Sequence, residues 1–113
     1  MRVGFTDLTP AHETRARSFV ARLAAATGAR AEIGRAPMEV QLGLLEDGEL
    51  DLVVGEFRPD TPWASTVTIV EPLETYSVGS RVFELAPAAA YGENRWIALV
   101  EREVRDSRAE RRR

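Results

Sequence analysis

The sequence predicts an α/β fold: a single open, mostly parallel sheet with flanking helices. Two observations carry this prediction. Strand-like and helix-like runs alternate through the first half of the chain, and the run Leu50–Val54 is apolar on both faces, as in a central strand covered by helices. A chain of 113 residues, 44% hydrophobic and 29% charged, has the size and polarity of one domain with one core. We place a single lobe over residues 1–106 and a basic tail over residues 107–113.

The first element is the strand "RVGFT" (Arg2–Thr6), short, apolar and β-inclined. Cap chemistry follows it, since a Thr9 hydroxyl can accept free amides of a helix start and Pro10 suits the first helical position. From Ala11 to Thr27, Phe19, Val20 and Leu23 fall at helical spacing with Arg15, Arg17 and Arg22 interspersed, and Gly28 is the stop. Ala29–Ala36 reads as a second short strand ended by Pro37. The segment beginning at Met38 fits both periods, but Glu46, Asp47 and Gly48 make a helix exit, so we read a short helix there. "ELDLVVG" is then the third strand. Asp51 within it requires backbone amides or an arginine as partners, because burying an unpaired carboxylate is expensive. The β-α-β-α-β order implies right-handed crossovers and a binding site at the carboxyl ends of the strands, where Thr6, Asp7, Gly55 and Glu56 fall.

Beyond the loop that holds Phe57, Arg58, Asp60 and Trp63, "STVTIV" (Ser65–Val70) alternates as a strand. "YSVGSRVFELA" reads as two extended pieces pivoting near Gly79. A final helix begins near "GEN" and carries Trp96, Ile97, Leu99, Val100 and Val104 toward the sheet.

Composition excludes several classes. With no cysteine there is no disulfide framework, thiolate ligand or thiol nucleophile. No run approaches the ~18 apolar residues of a membrane span, and the N-terminus lacks a secretory signal pattern. The chain reads as soluble and cytosolic, or as a periplasmic domain after removal of a leader. Its formal charge is −3, all its basic residues are arginines, and they crowd toward the C-terminus, where we expect a solvated helix end. His12, the only histidine, has no neighbouring Cys, Ser nucleophile or second ligand, so it reads as a surface helix residue, and no metal or cofactor is expected. "GENRW" lacks the glycine spacing of a phosphate loop or dinucleotide fingerprint, and no DNA-binding helix pair is present.

The path from "LLEDGELDLVVGEF" to "TIVEPLETY" resembles the type II periplasmic solute-binding proteins, particularly those that bind amino acids. Gly48, Asp51, Gly55 and Pro72 stand where that family has a helix-ending turn, an acidic residue in an apolar strand, the glycine closing it and a proline before an aromatic residue. Members of the family have two lobes joined by hinge strands. Between "EPLETY" and "FELAPAAAYGEN" this chain has only "SVGSRV", so the resemblance implies a single first lobe whose hinge strands are joined by a tight turn near Gly79.

That resemblance implies a non-enzymatic module that binds a small polar solute or a protein and acts with a transporter or receptor partner. The ligand-binding candidates are Thr6, Asp7, Glu56, Phe57, Arg58 and Trp63. In amino-acid binders the loop carries a threonine and then an arginine that grips the ligand carboxylate. Asp60 and Trp63 stand at those positions here, which disfavours a carboxylate and favours an apolar or cationic partner. An orphaned cleft invites self-association as a homodimer, with Trp63, Tyr76, Tyr91 and Trp96 as interface candidates; Trp63 could equally plug the edge of the sheet, and Asp7 and Glu56 could equally be helix caps or solvated loop residues. The alternatives are a sensor domain acting with a separate chain, or an enzyme resembling the family's dehydratases.

Overall fold

The structure, a computed structural model, describes residues 1–111. Strand β1 (Arg2–Phe5) enters helix α1 (Pro10–Thr27) through the cap its sequence implies: the His12 amide donates to Thr9 Oγ1 at 3.2 Å. Gly28, at φ 71°, ends the helix in the left-handed conformation that glycine adopts freely. Strand β2 (Glu32–Arg35), helix α2 (Met38–Glu46) and strand β3 (Leu52–Phe57) complete the β-α-β-α-β half.

The second half contains a 3-10 turn (Pro62–Ser65), strands β4 (Thr68–Ile69), β5 (Glu74–Val78) and β6 (Arg81–Ala89), and helix α3 (Asn94–Arg111). The six-stranded sheet runs β2-β1-β3-β6-β4, with β5 also paired to β6. It is mixed. β1 is parallel to β2 and β3, whereas β6 is antiparallel to β3, β4 and β5, so the mostly parallel arrangement holds only for the first half. The cause is the turn at Gly79 (φ 61°) and Ser80, which folds β5 directly back into β6. β4 and β5 share one edge of β6, and between them Val70 N–H donates to Pro87 O at 2.9 Å and Leu73 N–H to Leu85 O at 2.7 Å.

Alternation along β3 divides the core. Leu52 and Val54 join Val3, Phe5, Phe19, Leu23, Val100 and Val104 on the face covered by α1 and α3. Val53 and Phe57 join Leu42, Leu45, Val67 and Ala88 on the face covered by α2. Asp51 is partnered as its position demands: the Arg2 amide donates to Asp51 Oδ2 at 2.7 Å, and the Arg2 guanidinium lies 3.7 Å from Oδ1.

Two elements differ from the sequence reading. Only Thr68 and Ile69 of "STVTIV" pair as strand, because Thr61 caps the preceding 3-10 turn and holds Pro62–Ser65 helical. The expected tail at 107–113 is helix through Arg111. Ser107 is buried and accepts a hydrogen bond from Arg15 at 2.8 Å, which ties the last turns of α3 to α1; residues 112 and 113 lie outside the described residues. Among the described residues, no helix is long and apolar enough to cross a membrane.

Candidate functional site

The carboxyl ends of β1 and β3 lie side by side because the two strands pair in parallel, Phe5 opposite Val54. Thr6 and Asp7 leave β1 there, and Glu56 stands near the end of β3. With the N-terminus of α2 and a residue of β6, they line a concavity of about 310 Å³: Thr6, Asp7, Pro37, Met38, Glu56 and Phe83. Gly55 permits its close floor. A Cβ at that position would stand 3.0 Å from Thr6 Cγ2 and 3.2 Å from Met38 Cε, tighter than carbon atoms normally pack.

Glu56 is the best-connected group of the site. His12 Nδ1 lies 2.9 Å from Glu56 Oε1, and the Tyr76 hydroxyl donates to Glu56 Oε2. The other ring nitrogen, His12 Nε2, lies 3.3 Å from Glu74 Oε2. Imidazole and phenol rings also touch, with centroids 4.5 Å apart, and Tyr76 stacks on Phe83 at 5.8 Å. Burial raises the Tyr76 pKa, and the Glu56 hydrogen bond together with the Glu56 and Glu74 charges raises it further, so Tyr76 remains a hydrogen-bond donor. Asp7 is exposed and forms no ion pair among the described residues, leaving a free carboxylate at the rim.

His12 is therefore not the surface residue its sequence suggests, since its side chain is only 15% exposed. Its position follows from topology: α1 begins just beyond the carboxyl end of β1, so its first turn lies at the edge of the sheet where the parallel β3 brings out Glu56. Tyr76 likewise belongs to this cluster rather than to an open interface.

The other candidates are dispersed. Phe57 is 2% exposed in the α2-side core, because alternation points it away from the face that Glu56 takes. Arg58 is exposed, lies 3.7 Å from Asp60 and does not line the concavity. Trp63 is half-buried against the α2-side core, and the next residue, Ala64, accepts the Tyr91 hydroxyl. Trp96 packs on the α1/α3-side core and donates Nε1–H to Asp51 O at 2.8 Å, at the amino end of β3. Tyr76 and Trp96 thus occupy opposite ends of the sheet and form no common surface; Tyr91 remains exposed. A second concavity of about 350 Å³, lined by Met1, Leu45, Leu50, Asp51 and Trp96 among others, lies at that opposite end. Its indole N–H and Asp51 carboxylate are already engaged within the protein.

Among the described residues, no group of three or more His, Asp or Glu side chains is arranged to hold a metal ion. The two nitrogens of His12 face different carboxylates from opposite sides of the ring, which prevents both acids from sharing one ion with it.

No sequence family and no curated protein matches the chain. Solved structures do. Domain 1 of TmArgBP in its arginine-bound form superposes with a TM-score of 0.73 at 13% identity, covering 94% of this chain and 91% of that one. The substrate binding protein of an amino acid ABC transporter gives 0.77 at 8% identity over 97% and 93% of the two chains. An ancestral cationic amino acid solute binding protein gives 0.75 at 10% identity over 97% and 90%. At such identities the likeness establishes the fold: one lobe of the type II solute-binding architecture.

Proposed function

From a fold shared with the first lobe of amino-acid solute-binding proteins, we propose that this chain is a non-enzymatic module that binds a small cationic amine. The observation that carries the reading is the concavity at the carboxyl ends of β1 and β3, where Asp7 and Glu56 supply negative charge and Met38 and Phe83 supply apolar walls. The arginine-bound form of domain 1 is a single lobe holding its ligand, which supports binding by one lobe here. No guanidinium lines the concavity, so it lacks the bidentate grip on a ligand carboxylate that an arginine gives. Both ring nitrogens of His12 are engaged and Tyr76 stays protonated, so the cluster reads as a rigid wall rather than acid/base machinery. Such a module would present its solute to a separate transporter or receptor chain.

Isothermal titration with arginine and with agmatine, which is arginine without its carboxylate, tests this. Agmatine is expected to bind more tightly, and Asp7→Asn to weaken it. Absence of binding by any small amine, or binding indifferent to Asp7→Asn, overturns the reading.

A second reading, self-association, is favoured by the β5–β6 hairpin. Val78 is 62% exposed and Val82 41% exposed where two-lobed relatives continue into their second lobe. Native mass spectrometry is expected to give a dimer that Val78→Lys dissociates; a monomer throughout rejects it.

A further inference from the structure

Among the described residues, Arg15 is a buried cation without a counterion. The residue is only 8% exposed, its Nη1 donates to Ser107 Oγ at 2.8 Å and its Nη2 to Leu73 O at 3.2 Å, both neutral acceptors. Its Nε is buried and has no partner among the described residues, and none of their carboxylate oxygens lies within ion-pair distance of the guanidinium. A buried charge so placed is costly unless something compensates it.

Two more guanidiniums face the same cleft. Arg108 and Arg111, three apart on α3, share one side of that helix and line with Arg15 a concavity of about 350 Å³ closed by Pro72, Leu73, Glu74 and Thr75. Burial lowers the Arg15 pKa from the ordinary arginine value; the Arg111 and Arg108 charges push it the same way, against Glu74. The acids nearby are already divided: Glu74 lies 3.6 Å from Arg111 while also facing His12, and Glu71 lies 3.5 Å from Arg108 and 3.4 Å from Arg105.

We propose that this cleft is an oxyanion site that takes a phosphate group, either the free ion or the phosphate of a small monoester. Three arginines converge on a space large enough for such a group, the Arg15 charge stands behind it with neutral acceptors alone among the described residues, and a single shared carboxylate in the lining leaves the cleft net positive. Planar guanidiniums match phosphate oxygens in geometry as well as charge. The site is built from α1, α3 and the start of β5, and its lining shares no residue with the concavity at Thr6, Asp7 and Glu56.

The test is titration of the whole chain with inorganic phosphate, followed calorimetrically and by thermal unfolding, with ionic strength held constant by sodium chloride. Saturable binding and a saturable rise in Tm are expected. Arg108→Gln and Arg111→Gln are each expected to weaken binding about tenfold, the order of one charge-assisted hydrogen bond. Glu74→Gln is expected to strengthen it by removing a competing anion. Glycerol phosphate separates the two sources: tighter binding than the free ion assigns a monoester, and equal or weaker binding assigns the ion itself. A Tm rise that does not saturate, or that survives in the Arg108→Gln/Arg111→Gln double variant, is an ordinary salt effect and overturns the proposal.

Discussion

His12 Nδ1 and Glu56 Oε1 are 2.9 Å apart, which pins the first turn of α1 to the carboxyl end of β3. The same ring reaches Glu74 at the start of β5, so one imidazole joins three elements around the candidate ligand site. Removing it leaves two partly buried carboxylates facing one another without the group between them. His12→Ala is expected to lower unfolding stability by about 1–3 kcal/mol, the cost of leaving buried polar groups unsatisfied. Urea denaturation checks this, and a change below about 0.5 kcal/mol, the range of ordinary surface substitutions, contradicts the linkage.

Tyr76 gives the site a signature in alkaline solution. Burial, then the hydrogen bond to Glu56 and the nearby carboxylate charges, raise its pKa above the ordinary tyrosine value of 10.0. Its folded form holds the phenolic proton more tightly than the unfolded form does. The stabilisation is therefore complete below pH 10 and is lost as pH rises from there toward the raised value. Spectroscopic titration of tyrosinate is expected to show one of the two tyrosines ionising late, and Tyr76→Phe to remove that late step. Both tyrosines ionising together in the ordinary range would contradict the contact with Glu56.

Trp63 separates packing from binding. It rests half-buried on the α2-side core beside Val67 and Ile69, and it does not line the concavity at Glu56. Trp63→Ala is expected to cost about 2 kcal/mol through lost apolar burial. Agmatine affinity, measured by calorimetry on the folded variant, is expected to stay unchanged. A selective loss of binding with stability intact would return Trp63 to the ligand site.

The elements most legible in the sequence were those set by local chemistry. Thr9 and Pro10 mark the start of α1, Gly28 its end, and the apolar run after Asp51 the central strand, because caps, φ preferences and two-sided burial depend on neighbouring residues. The strand-end positions of Thr6, Asp7 and Glu56 were legible for the same reason, once the parallel order was read. The role of His12 was not. It depends on a contact across 44 residues to Glu56 and another to Glu74, and nothing in the first turn of α1 announces either. Phe57 and Arg58, ligand candidates through the family resemblance, stand outside the concavity, because alternation buries the first and the exposed loop pairs the second with Asp60. The arginine-rich end read as a solvated tail because charge dominates its composition, whereas buried Ser107 and its bond to Arg15 keep it helical against α1.

That bond leads to the last prediction, which sets function against stability. Among the described residues, Arg15 carries its charge into the protein with only a serine hydroxyl and a backbone carbonyl as partners, so a methionine of similar reach would keep the packed stem and remove the desolvated cation. In phosphate-free buffer, Arg15→Met is expected to be neutral or more stable by about 1 kcal/mol, since the released penalty offsets two hydrogen bonds to neutral acceptors. Phosphate is then expected to stabilise the native chain and leave the variant unmoved, so that their order of Tm values narrows or reverses as phosphate is added. If Arg15→Met instead loses several kcal/mol in phosphate-free buffer, the guanidinium is a structural tie between α1, α3 and Leu73, and its missing counterion carries no functional meaning.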